Sequence, residues 1–166
     1  MDLQDIILRL DRYWARQGCC LLPPCAAPSP RPGTQVSMAG AAGRAGLSPD
    51  GLEGLYRYRV ALSPAPAEAR RLFLDSFREA GVDRAEHDLR WLPLEGGLPG
   101  WLVLLDGLPL ARFIYRAPQA ARGPAGAAIE ISLERLALAS QRKKLFSDLS
   151  WSGRLTYGDL HAGEGA

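Results

Sequence analysis

Leu3, Ile6, Ile7, Leu10 and Trp14 recur three or four residues apart at the start of the chain, with charged and polar residues between them. That spacing lines the apolar groups along one side of a 3.6-residue period, so it predicts an amphipathic helix over 2–17, opened by Asp2 and ended by Gly18. Cys19 to Leu22 is a shorter apolar run that Pro23-Pro24 stops, because proline cannot donate to a ladder; it predicts a short buried strand. Residues 23–51 are dominated by Pro, Gly, Ala and Ser. They carry too few large apolar groups to offset the entropy of ordering them, which predicts a long flexible loop.

Periodicity returns at Gly54–Leu62, where Leu55, Tyr56, Tyr58 and Val60 suit a sheet while Arg57 and Arg59 alternate outward. Ser63-Pro64-Ala65-Pro66 opens a helix that runs to Ala80, with Leu72, Phe73 and Phe77 on one face and Gly81 at its exit. Strands come next at His87–Leu92, Trp101–Leu105 and Leu108–Arg116, the last two joined by Asp106-Gly107 as a hairpin turn, so an antiparallel meander is expected. A Gly/Ala-rich connection over 117–128 leads to a short strand at Ile129–Ser132 and a helix carrying Leu133, Leu136 and Ala137. Helices flanking an antiparallel sheet make an α+β fold, read as one domain over 1–166 with a short disordered tail at 162–166.

Composition narrows the function classes. The chain has 166 residues, 47% hydrophobic and 23% charged, enough for one buried core. Its 20 basic and 18 acidic side chains leave a formal charge of +2, so no global field draws in a polyanion. The tight basic run Arg142-Lys143-Lys144 reads as a solvated helix end. Cys19, Cys20 and Cys25 have no paired framework elsewhere, which favours a reducing, cytoplasmic setting with buried thiols at a strand over a zinc site, since His87 and His161 lie far along the chain. No stretch has the apolar length of a membrane span, and Met-Asp-Leu-Gln-Asp is not a leader. His87 with Asp88 and Arg90 reads as structural, and Tyr157-Gly158-Asp159 as a turn in which Asp159 caps the next segment.

The segment LDRYWARQGC (Leu10 to Cys19) resembles the opening helix of bacterial glycyl-tRNA synthetase α-subunits, and Pro24 falls where class II synthetases keep the proline of their dimer-forming first motif. The resemblance continues through YRYRVALSPAP (56–66), LFLDSFREAGVDRAEHDLRW (72–91), LERLA (133–137) and LTYGDLH (155–161), in the family's order. It implies a six- or seven-stranded antiparallel sheet flanked by helices, and a homodimer formed through the first helix and following strand. It also implies ATP and magnesium as cofactors of any retained activity, with tRNA or a synthetase chain as partner.

The same alignment of motifs implies a changed site. Amino-acid activation needs arginines and acids to neutralise phosphate charge and fix geometry. The family's paired arginines fall on Met38 and Ala39 and the loop-end arginine on Gly51, leaving Arg44. Each charge-assisted contact is worth roughly 1.5–3 kcal/mol, so three losses weaken ATP binding by about a thousandfold or more. The family's acidic pair falls on Pro93 and Leu94, and its glutamine- and threonine-lined strand becomes Ala111 to Pro118, with Arg112 placing bulk and charge near a small amino-acid pocket. In the third motif the glutamate and glycine positions hold Ala128 and Ser132, which leaves Arg135 as the surviving ATP contact, or else an arginine tied down at a helix start.

Arg44 and Arg135 are thus the candidate ATP contacts and Arg112 the candidate substrate contact, with no catalytic or metal-ligating residue assigned. Family α-subunits continue past the position of His161 into a helical region that engages the β-subunit, so that pairing is not expected here. Three functions compete. They are a non-catalytic dimeric binding or regulatory module, an ATP-dependent ligase activating glycine or another small acid for tRNA aminoacylation, and a tRNA- or RNA-binding accessory protein.

Overall fold

The computed structural model of the protein describes residues 1–23, 31, 34–43, 55–116 and 125–163. The first helix, α1 (Leu3–Arg16), forms where the apolar spacing predicts it and buries Leu3, Ile6, Leu10, Tyr13 and Trp14. Gly18, at φ 93°, ends it by turning the chain through the left-handed region. Among the described residues seven strands then build one sheet: β1 (Cys20–Leu21), β2 (Met38–Ala42), β3 (Arg57–Leu62), β4 (Leu89–Pro93), β5 (Gly100–Leu105), β6 (Leu108–Arg116) and β7 (Gly126–Ser132), in the spatial order β1-β2-β3-β7-β6-β5-β4. All neighbours are antiparallel except β1 and β2.

Helices α2 (Ala69–Glu79) and α3 (Leu133–Gln141) join α1 in a core with the face of the sheet that carries Tyr58, Val60, Val103, Phe113, Ile129 and Ile131. Large aromatic groups fill one end of that core. Phe73 of α2 meets Phe77, Trp91 and Phe113 edge-on, and the Arg70 guanidinium lies 4.4 Å from the Trp91 ring centroid and 4.6 Å from that of Trp101. At the other end the Tyr58 hydroxyl donates to Asp11 Oδ1 at 2.7 Å, tying β3 to α1. Burial, then that carboxylate, pushes the Tyr58 phenol far above its ordinary value, so it stays a donor.

The hairpin between β5 and β6 turns on Asp106 and Gly107, both at positive φ, as a two-residue turn of this hand requires. Gly100 is obligatory for a different reason: a Cβ there would stand 2.2 Å from the Phe113 carbonyl oxygen. Beyond α3, a two-stranded ribbon, β8 (Ser150–Ser152) with β9 (Leu155–Thr156), leads to α4 (Tyr157–His161).

Several expectations need correcting. The stretch read as a flexible loop over 23–51 contains β2, five small or flexible residues that pair along β3 and against β1. The strand after α1 is not buried: Cys20 and Leu21 are exposed, because β1 is a two-residue sheet edge, and only Cys19 of the two described thiols is covered. The strand before α3 begins at Gly126 rather than Ile129, since its alanines pair as readily as its isoleucines. Tyr157-Gly158-Asp159 opens α4 rather than a turn; Thr156 is its cap, and the Asp159 carboxylate accepts the Thr156 N–H at 2.9 Å. Cys25, Pro24, Gly51 and the end of the tail lie outside the described residues.

Asp2, Asp106 and Asp159 are held below the usual carboxylate range: Asp2 by the Ser150 hydroxyl and then the Gly153 N–H, Asp106 by His87 and then the Asp88 N–H, and Asp159 by the backbone and then the side chain of Thr156. A depressed folded pKa adds stability above the unfolded value of about 4 and loses it as the pH falls through the folded value. The urea midpoint is therefore expected to be flat from neutrality down to about pH 5 and to fall below about pH 4. Asp2→Asn should remove part of that fall, which urea titrations at stepped pH would measure.

Candidate functional site

Alternation along each strand sends every second residue to the face of the sheet away from the helical core. The ladder registers then compose rows across that face. One row runs Gly40, Arg59, Glu130, Arg112, Leu102 and Leu92, from β2 to β4. A neighbouring row holds Met38, Ala61, Ala128, Ile114 and Gly100. On the other side lie Ala42, Arg57 and Ser132.

Glu130, on the central strand β7, is the hub. Its Oε2 accepts from Arg57 Nη1 at 2.5 Å, and its Oε1 lies 3.5 Å from Arg59 Nε. The two arginines differ in freedom: the Arg57 side chain is 13% exposed and that of Arg59 is 56% exposed. Arg57 also keeps a buried Nε without a hydrogen-bond partner among the described residues. Beside this cluster, a cavity of about 260 Å³ is lined among the described residues by Leu22, Pro23, Met38, Gly40, Ala61 and Ala128 together with Arg59 and Glu130. Small residues keep it open. Leu22 arches over β2 so closely that a Cβ on Gly40 would stand 2.8 Å from the Leu22 carbonyl oxygen.

The residues singled out from the sequence are dispersed through the fold. Arg112 sits half-buried in the central row, directly opposite Glu130 on β6. Arg135 lies in the first turn of α3, where its Nη1 donates to the Pro109 carbonyl at 2.6 Å and its backbone N–H to Ser132 Oγ at 3.2 Å. Ser132, at a position where the resemblance puts glycine, is thereby the cap of α3. Arg44 lies outside the described residues. Met38 faces the cavity, whereas Ala39 is buried in the core. Pro93 ends β4 at the sheet edge, with Leu94 next along the chain.

His87 and Asp88 clamp the hairpin, with His87 Nδ1 2.6 Å from Asp106 Oδ2 and Arg90 Nε donating to Asp88 at 2.8 Å. Arg57, Arg59 and Glu130 escape selection as site residues on sequence grounds. The outward alternation of both arginines is visible there, and so is a glutamate flanked by Ile129 and Ile131; what joins them is register between strands far apart in the chain.

Glu134 supports the frame from below. It is fully buried at the start of α3, and its two carboxylate oxygens accept the Tyr56 N–H at 2.8 and 3.0 Å, which holds the entry of β3 against the helix. Among the described residues no cluster of three or more His, Cys, Asp or Glu is arranged to hold a metal ion, and no helix is long and apolar enough to cross a membrane.

Comparison with known proteins places this geometry. Two solved structures of pyrrolysyl-tRNA synthetase from Desulfitobacterium hafniense are similar, with TM-scores of 0.62 and 0.61 and sequence identities of 13% and 14%. Each comparison covers 94% of this chain and 75% of the other. At that identity the likeness is one of fold, the α+β class II synthetase fold with its large antiparallel sheet flanked by helices. A family model described as "Glycyl-tRNA synthetase alpha subunit" matches residues 33–165, from the approach to β2 through α4. Matched over far more than half its length, the chain belongs to the glycyl-tRNA synthetase alpha subunit family.

Proposed function

We propose that this chain is a non-catalytic member of its family, a homodimeric binding or regulatory module built on the synthetase fold. One observation carries the reading: on the face away from the helices, the two arginines of β3 are engaged by Glu130. Activation of an amino acid requires positive groups placed where charge develops on the phosphate being displaced. Arg57, largely buried and hydrogen-bonded to Glu130, is not available for that purpose, and Arg59 becomes so only by leaving Glu130. Met38 and Ala39, at the positions of the family's paired arginines, bring no charge to replace them, and Ala39 faces the core. ATP and magnesium are accordingly not required for the proposed role. The family is that of a tRNA synthetase subunit, so a synthetase chain or tRNA is the partner class to test first.

The pure protein is expected to give no glycine-dependent exchange of pyrophosphate into ATP above a protein-free blank, at millimolar ATP, magnesium and glycine. Exchange that depends on both the protein and glycine overturns the reading. The dimer has its own test. Leu21 on β1 is 46% exposed, an apolar group on a strand whose outer edge is unpaired among the described residues, of the kind that pairs with a second copy. Leu21→Lys is expected to convert a dimer into a monomer with an unchanged far-ultraviolet spectrum, measured by light scattering after gel filtration. A wild-type protein already monomeric at tens of micromolar removes the dimer from the proposal.

A further inference from the structure

The cavity beside Glu130 has a charge and a shape that select among small molecules. Arg57, Arg59 and Glu130 together leave one positive charge, and the two guanidiniums are unequal partners of the carboxylate. Arg57, largely buried, makes the hydrogen bond to Oε2 and anchors it. Arg59, more than half exposed and 3.5 Å from Oε1, is held by charge alone and lines the cavity. Its planar fork of donors is the group best able to turn toward an incoming oxyanion. Among the described residues the other lining side chains are apolar, with Leu22, Pro23, Met38, Ala61 and Ala128 among them. At about 260 Å³ the space falls just below the range of about 300–1,000 Å³ typical of pockets for drug-sized molecules, and it far exceeds what glycine fills.

We propose that this cavity binds a small organic monocarboxylate with an apolar body and no ammonium group, the carboxylate taken by Arg59 and the body laid against Met38, Ala61 and Ala128. The inference rests on the reading of the chain as a binding module and names the ligand class. An α-ammonium group is disfavoured for two reasons. Among the described residues the carboxylate that lines the cavity is Glu130, already committed to Arg57, and the local charge is positive. Glu130 itself acts as a built-in carboxylate that the ligand displaces from Arg59.

Matched acids with and without the amine provide the test. Isothermal titration of the whole protein would compare 4-methylpentanoate with leucine and 3-phenylpropanoate with phenylalanine, using acetate, glycine and inorganic phosphate as controls. One or both of the deaminated acids are expected to bind at least tenfold more tightly than the matched amino acid and than acetate. Arg59→Ala should abolish binding and Arg59→Lys weaken it, both with an unchanged thermal midpoint, while Glu130→Gln should tighten binding severalfold by removing the internal competitor. Equal or tighter binding of the amino acids, binding that survives Arg59→Ala, or phosphate binding as tight as the acids overturns the proposal. So does no binding of any probe, and in that case absent pyrophosphate exchange still leaves the non-catalytic reading standing. Pyrophosphate exchange driven by one of the acids has the converse result, overturning the non-catalytic reading and keeping the site.

Discussion

Phe73→Ala is expected to lower the unfolding free energy by about 3–5 kcal/mol, a large part of what a domain of this size has in reserve. Phe73 is fully buried, and its ring centroid lies 4.9 Å from that of Phe77 and 5.7 Å from those of Trp91 and Phe113. Its removal takes away the transfer free energy of the ring and leaves a void that three rigid aromatic neighbours cannot close. Phe73→Leu, which keeps most of the volume, should cost less than half as much. Urea unfolding monitored by circular dichroism measures both; a midpoint unmoved by the alanine variant would mean that α2 contributes little to the core.

Glu134→Ala is expected to cost about 2–4 kcal/mol, with Glu134→Gln recovering roughly half of it. The carboxylate is fully buried and takes the Tyr56 N–H with both oxygens, at the end of a helix whose dipole favours a negative charge. Alanine leaves that backbone donor without its carboxylate and opens space at the junction of β3 and α3. Glutamine retains an acceptor but loses the charge. The same urea experiment separates the variants, and an alanine variant as stable as the glutamine variant would show that the charge, rather than the volume or the remaining acceptor, holds the junction.

The parts of the fold that are legible in the sequence share a physical cause: large apolar groups at a clear period. Helix α1 declares itself through Leu3, Ile6, Leu10 and Trp14, all of which are buried. The β5–β6 hairpin declares itself through Asp106-Gly107, both of which take the backbone conformation that the turn demands. Strand β2 is illegible because Met38–Ala42 has no intrinsic preference for a strand. Its middle residue is glycine because Leu22 passes close above Gly40, a constraint that belongs to the tertiary fold and leaves no local mark.

The candidate site divides the same way. Arg112 and Arg135 can be picked out from motifs, but their surroundings, Glu130 opposite the first in the ladder and the Pro109 carbonyl bonded to the second, come from cross-strand register and helix placement. Arg57 and Arg59 can be assigned to an outward face. Only the pairing of β3 with β7 shows that this face carries a carboxylate to meet them.

The clamp between Asp2 and the β8–β9 ribbon reaches across almost the whole chain: Asp2 accepts from Ser150 Oγ, 148 positions later, and from the Gly153 N–H. In the order of synthesis α1 precedes by 148 positions the ribbon residue that helps secure its start. Its apolar stripe of Leu3, Ile6 and Leu10 must wait while the sheet and ribbon are completed. Contacts closing over such a separation are slow to form. Docking of the start of α1 is therefore a late step of folding.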